Sequence, residues 1–261
     1  MDIIAKISRG SKMDQIYLPK NRFGLSVGSH VLIKEARFKD EEKLIFYNIR
    51  KIERIKIIIV KELFNMLKKY SFDNIIITGS FLDSGFNFND IDIILIKNKE
   101  VNINKIKNEV KENLGIDPHL ILIDSKSLLK GISIDPLFQT MLSSYISKKR
   151  FIYHVKPEIK YKLLDLSLLK SNLLTENFDI LAGSQKLDLL RNLVSIHIFI
   201  TKKHIITKEE VYEKIKEIFG NDIFDNLRNN TLNKKDFIKK YNSIYNKTLE
   251  IILNGVKNES K

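Results

Sequence analysis

The sequence predicts an α+β protein in three parts: a small N-terminal β module, a mixed sheet with flanking helices, and a C-terminal helical bundle. Three observations carry this. Short apolar runs broken by turn residues occupy roughly residues 3–34. Helical and strand-like periods then alternate over 45–135. Beyond Asp135-Pro136 the strong apolar patterns are helical. The parts are bounded at 1–38, 45–135 and 136–261, with the charged stretch 38–43 as connector. At 43% hydrophobic residues the 261-residue chain can bury a core, which excludes a disordered or collagen-like protein.

The first part holds Ile3-Ile4-Ala5-Lys6-Ile7, a turn at Ser8–Ser11, Gln15–Leu18 ending at Pro19, and Val27–Ile33. In the second, Ile52, Ile55, Ile59, Leu63 and Met66-Leu67 recur every three or four residues and predict a helix over about Ile49–Tyr70. Strands follow at Asn74–Thr78 and Ile91–Ile96, a polar amphipathic helix at Asn102–Leu114 ending on Gly115, and a third strand at Leu120–Ile123. Asp124 with Ser125 reads as a helix cap, and Asp135 as an N-cap with proline at the first helical position. In the third part, helices are expected over Gln185–Lys203, from Thr207 (with capping-box spacing to Glu210) to Gly220, and over Lys234–Leu253. Arg150–Val155 is a candidate short strand in this otherwise helical region.

Composition narrows the function. With no cysteine, a disulfide scaffold, a Cys-ligated zinc site and a thiol nucleophile are excluded. No apolar run approaches the roughly 18 residues of a membrane helix, and the first residues lack the apolar core of a signal peptide. The expectation is a soluble cytoplasmic protein without a membrane partner. The net charge of +13 invites a polyanion, yet lysine dominates and arginine, the usual reader of bases and clamp of phosphates, is scarce. The charge is spread along the chain and forms no basic arm.

The chemistry concentrates in Ile75-Ile76-Ile77-Thr78-Gly79-Ser80 and Asp90-Ile91-Asp92-Ile93. Asp90 and Asp92 are two apart on a strand, so both carboxylates project from one face. Such a pair repels unless a cation neutralises it, and hard oxygens suit Mg²⁺ or Mn²⁺. Gly79 permits close backbone approach to a phosphate, to which Ser80 can donate hydrogen bonds. A phosphate cradle beside a metal clamp is the apparatus of phosphoryl or nucleotidyl transfer. The bland alternative is a surface hairpin with ordinary turn residues.

This stretch resembles the signature of the DNA polymerase β nucleotidyltransferase superfamily, most closely its minimal prokaryotic members with a helical domain behind the catalytic one. The resemblance covers Ile75–Leu95 closely and extends over about 49–125. It implies an Mg²⁺-dependent (or Mn²⁺-dependent) enzyme that transfers a nucleoside monophosphate from an NTP to an acceptor, whether protein, nucleic acid or small molecule. It further implies that Gly79 and Ser80 bind the nucleotide and that Asp90 and Asp92 hold metals. The family's third carboxylate finds its best counterpart in Asp117, with His119 a substitute and Asp124 on the opposite face. A cleft between sheet and helical bundle is expected, since sites favour domain interfaces.

Lys6–Ile33 resembles, more weakly, swapped-hairpin DNA-binding domains of the AbrB type, with Gln15–Lys20 and Val27–Ile33 in the corresponding places and Ser29 where that family has aspartate. This resemblance implies a homodimer, with Arg9, Lys12, Lys20 and Arg22 near a DNA face. Arg191 and His197 have the residue types of a HEPN ribonuclease motif, but their spacing sets them about 240° apart on a helix. The rivals to an enzyme are a degenerate nucleotidyltransferase fold acting as a nucleotide sensor or DNA-binding dimer, and an antitoxin-like protein.

Overall fold

A computed structural model describes residues 7–11, 13–18, 26–27, 31, 44–86, 88, 90–97, 101–151 and 153–259. The chain divides into two units, Met1–Lys43 and Leu44–Lys261. In the first, β1 (Ile7–Ser8) pairs antiparallel with β2 (Gln15–Ile16), Ile7 opposite Ile16. Apart from Ile7, Val27 and Val31, the expected strands at 3–7 and 27–33 lie outside the described residues. So do Lys12, Pro19, Lys20, Arg22, Ser29 and the connector at 38–43.

The second unit opens with β3 (Ile45–Tyr47), α1 (Arg54–Leu67), β4 (Asn74–Thr78), β5 (Asp90–Ile96) and α2 (Ile103–Leu114). It continues with β6 (Asp117–Ile123), α3 (Ser125–Ile134), α4 (Pro136–Met141) and β7 (Tyr145–Ser147). The strands form one mixed sheet in the order β3-β7-β4-β5-β6, in which β5 and β6 run parallel and the other neighbours antiparallel. Alternation along the strands divides its residues between two layers. Ile75, Ile77, Ile91, Ile93 and Leu95 pack with Val60, Leu63 and Phe64 of α1 and with Ile106 and Val110 of α2. On the opposite face Ile76, Ile94 and Ile96 meet Leu128 and Ile132 of α3, Leu142 and Tyr145. Asp90 and Asp92 share the alternation of Ile94 and Ile96, so they belong to this second face.

Two strands go beyond the sequence expectation. β3 and β7 have three residues each, too few to display a period of two, and β7 sits inside the sheet rather than in a helical region. The candidate strand at Arg150–Val155 does not form among the described residues; Phe151, Tyr153 and Val155 pack against the second layer instead. Asn74 latches β7 into place. Its Oδ1 accepts the Lys149 amide at 2.9 Å and its Nδ2 donates to the Lys149 carbonyl at 3.0 Å.

The remaining helices are α5 (Tyr161–Glu176), α6 (Gly183–Lys202), α7 (Lys208–Phe219), α8 (Ile223–Arg228) and α9 (Lys234–Glu259). They enclose a core built on Leu164, Leu168, Leu193, Ile196, Phe199 and Tyr241. The ends follow local chemistry. Asn102 Oδ1 caps α2 through the Lys105 amide at 3.0 Å, and Gly115 closes it at φ 65°. Asp124 caps α3 through the Lys126 and Ser127 amides, and Asp135 caps α4 ahead of Pro136. Thr207 and Glu210 exchange hydrogen bonds with each other's backbone at the start of α7.

Arg191 and His197 face different partners. Arg191 lies beside Asp188 and Tyr212. His197 Nδ1 is 2.9 Å from Thr248 Oγ1, whose proton is engaged by the Ile244 carbonyl, so the imidazole donates from Nδ1. Burial, with Lys214 and Lys247 adding repulsion, lowers the His197 pKa from its ordinary 6.5. The unfolded chain therefore binds this proton more readily, and stability is lost as pH falls below about 6.5. The variant His197→Gln should melt with a shallower loss of Tm between pH 7 and 5 than the parent chain, as read by thermal denaturation across that range.

Candidate active site

Strand polarity brings the interesting residues to one edge of the sheet. β4 ends where β5, β6 and β7 begin, because β4 is antiparallel to β5 and β7 while β6 is parallel to β5. Thr78 stands opposite Asp92, Asp92 opposite His119, and Asp90 opposite Asp117. The buried Thr78 hydroxyl lies against the Met141 and Ser144 carbonyls, tying the end of β4 to the segment before β7.

Immediately beyond, Gly79 adopts φ 83° and ψ −162°, a conformation that L side chains avoid. A Cβ there would stand 1.9 Å from Asp92 Oδ2. The Asp92 carboxylate thus packs directly on bare backbone, and Ser80 opens the following turn of 3₁₀ helix. On its other side Asp92 Oδ1 accepts a hydrogen bond from His119 Nδ1 at 2.8 Å. Asp90 and Asp92 are both half-buried at the rim. Gly79, Ser80, Asp90 and Asp92 are therefore neighbours.

Asp117 is in register with Asp90, but its Oδ1 lies 3.6 Å from Lys111 and 3.7 Å from Lys107 on α2. Among the described residues no group of three or more His, Cys, Asp or Glu side chains gathers as a metal cluster. The donor set at this edge is a carboxylate pair. That fits an ion such as Mg²⁺, which is usually held by one or two carboxylates together with substrate phosphates.

The turn after Ser80 is held from beneath by a fully buried lysine. Lys56 Nζ donates to the Asp83 carbonyl, lies 3.1 Å from Glu53 Oε2, and sits over the rings of Phe81, Phe86 and Phe88 at 5.3–5.7 Å. Glu53 in turn accepts the Gly85 amide at 2.6 Å. That amide and the Lys56 ammonium hold the Glu53 carboxyl at about 2. One signal for Lys56 was present in the sequence: it falls four residues before Val60, on the buried side of α1.

The helical region closes the edge from the other side. A recess of about 310 Å³ is lined by Arg50 and Lys51 after β3, Asp83 and Ser84 after the glycine turn, and Lys208 and Tyr212 of α7. Lys208 pairs with Asp83 and lies 5.5 Å from the Tyr212 ring, over which Arg191 sits at the same distance. Next to Arg191, at 3.5 Å, is Asp188 of α6. Desolvation by surrounding protein raises the Asp188 pKa; Arg191 opposes this and Asp90 reinforces it. Its side chain nevertheless keeps 71% of its surface accessible. Neither Asp188 nor Lys208 carries a motif that sequence reasoning could have isolated.

Comparison with family models, with curated proteins and with solved structures finds no match. No described helix is long and apolar enough to cross a membrane.

The glycine contact makes a direct prediction. Gly79→Ala should keep the far-ultraviolet circular dichroism of the parent chain but lose about 1–3 kcal/mol of stability in denaturant titration, because residue 79 is forced into a glycine-only conformation.

Proposed function

We propose that this protein is a nucleotidyltransferase that moves a nucleoside monophosphate from an NTP to an acceptor hydroxyl. The observation that carries the reading is the packing of the Asp92 carboxylate on Gly79, which sets a carboxylate pair beside a turn open to a phosphate. The cations Arg50, Lys51 and Lys208 around the adjoining recess support it, since a polyphosphate needs positive partners close to the turn.

On this reading Ser80 and the backbone of the glycine turn orient the phosphate chain, while Asp90 and Asp92 hold the divalent ion. That ion supplies charge neutralisation and Lewis-acid polarisation at the phosphoryl oxygens. The acceptor hydroxyl releases its proton to solvent as its oxygen bonds to the α-phosphorus, the bond from α-phosphorus to the bridging oxygen breaks, and pyrophosphate leaves. His119 fixes the orientation of Asp92 through its Nδ1–H.

A second reading, a nucleotide-binding regulator without turnover, rests on the third carboxylate. Asp117 lies against Lys107 and Lys111 and is not gathered with Asp90 and Asp92 in a three-group cluster. The DNA-binding expectation rests on the N-terminal stretch, where Lys12, Lys20 and Arg22 lie outside the described residues.

The test is release of pyrophosphate from each NTP with Mg²⁺ and a broad acceptor set. Asp90→Asn and Asp92→Asn should each lower the rate at least about a hundredfold, since metal-ion stabilisation is worth several kcal/mol at about 1.4 kcal/mol per factor of ten. NTP binding that needs Mg²⁺ but yields no pyrophosphate selects the second reading. Absence of Mg²⁺-dependent NTP binding removes both.

A further inference from the structure

Helix α5 carries leucine on two opposite faces. Leu164, Leu168 and Leu174 are buried against the rest of the helical region, where Ser171 also meets Asn192 and Tyr241. The other face is leucine too: Leu163, Leu166, Leu169 and Leu173 are 41%, 63%, 53% and 47% exposed. A surface helix normally turns charged and polar residues to water, and a helix apolar all round is one that is covered on both sides.

The outward residues also have the spacing of a packing seam. Lys162, Leu166, Leu169, Leu173 and Glu176 follow one another at intervals of four, three, four and three, the repeat by which one helix meets another lengthwise. All five are exposed. The seam has leucine at its three central positions, a positive charge at one end and a negative charge at the other.

That pattern is complementary to itself. Two copies of α5 laid antiparallel about a twofold axis at Leu169 bring Lys162 of each copy level with Glu176 of the other, seven residues or about 10 Å from the centre on either side. Leucine then meets leucine along the middle. A parallel pairing would set like charges together at both ends. We propose that the outward leucine seam of α5 is an interface between two copies of this chain, paired antiparallel. This is independent of the nucleotidyltransferase reading.

Because the chain has no cysteine, a single introduced thiol reports the contact cleanly. In the full chain under mild oxidation, Leu169→Cys should form a disulfide-linked dimer in high yield, while Glu213→Cys on the exposed side of α7 should not. Leu169 is exposed, so Leu169→Lys should keep the parental melting profile yet weaken self-association at least tenfold in sedimentation equilibrium. Lys162→Glu and Glu176→Lys should each weaken it severalfold, and the double charge swap should restore it. Absence of the 169–169 crosslink, equal crosslinking at position 213, association unchanged by Leu169→Lys, or failure of the double swap to rescue either single change would each overturn the proposal.

Discussion

At residue 79 the backbone runs at φ 83° with no side chain, and a carbon placed there would stand 1.9 Å from an Asp92 oxygen. The rest of the sheet edge is arranged around that contact. It lets the last turn of β4 lie flat against a carboxylate of β5. The other Asp92 oxygen, Oδ1, accepts the His119 ring N–H. The same turn carries Phe81 and Leu82 down into the apolar layer beside α1, where Phe81 is fully buried. The turn thus keeps its polar side outward and its apolar side anchored.

The anchoring is unusual in containing a charge. Lys56 has no exposed surface, and a lone ammonium in such a place would be strongly disfavoured. Its environment answers that with a carbonyl, a carboxylate and three aromatic faces. Since the carbonyl and the rings all belong to residues 81–88, the lysine joins α1 to the loop that follows the glycine turn. From above, Lys208 of α7 takes the Asp83 side chain. Residue 83 is therefore gripped twice, by its carbonyl from α1 and by its carboxylate from α7.

Much of this was legible in residue order. Gly79, Ser80, Asp90 and Asp92 announce themselves because short-range chemistry fixes them: a strand alternates, a glycine turns, and the spacing between them is local. Asn102, Gly115, Asp124, Asp135 and Thr207 were readable for the same reason, since a cap is decided within four residues. The strands β3 and β7 were not, because three residues carry no period and their pairing is long-range. Helix α5 was blurred by its second leucine face, which erases the amphipathic signal. Asp188 and Lys208 come near Asp90 and Asp83 only through the packing of α6 and α7, and no local pattern records that. Where Asp117 lies could be read; that it would be matched by Lys107 and Lys111 of α2 could not.

The place of β7 bears on how the chain reaches this state. The strand between β3 and β4 arrives some seventy residues after β4 in the sequence. During synthesis β4 can pair with β5 as soon as residue 96 emerges, yet its other edge stays bare until Tyr145–Ser147 appears. An open strand edge is a template for pairing with the wrong chain. The Asn74 contacts to Lys149 join segments some seventy residues apart, a non-local pairing of the kind that is intrinsically slow to form.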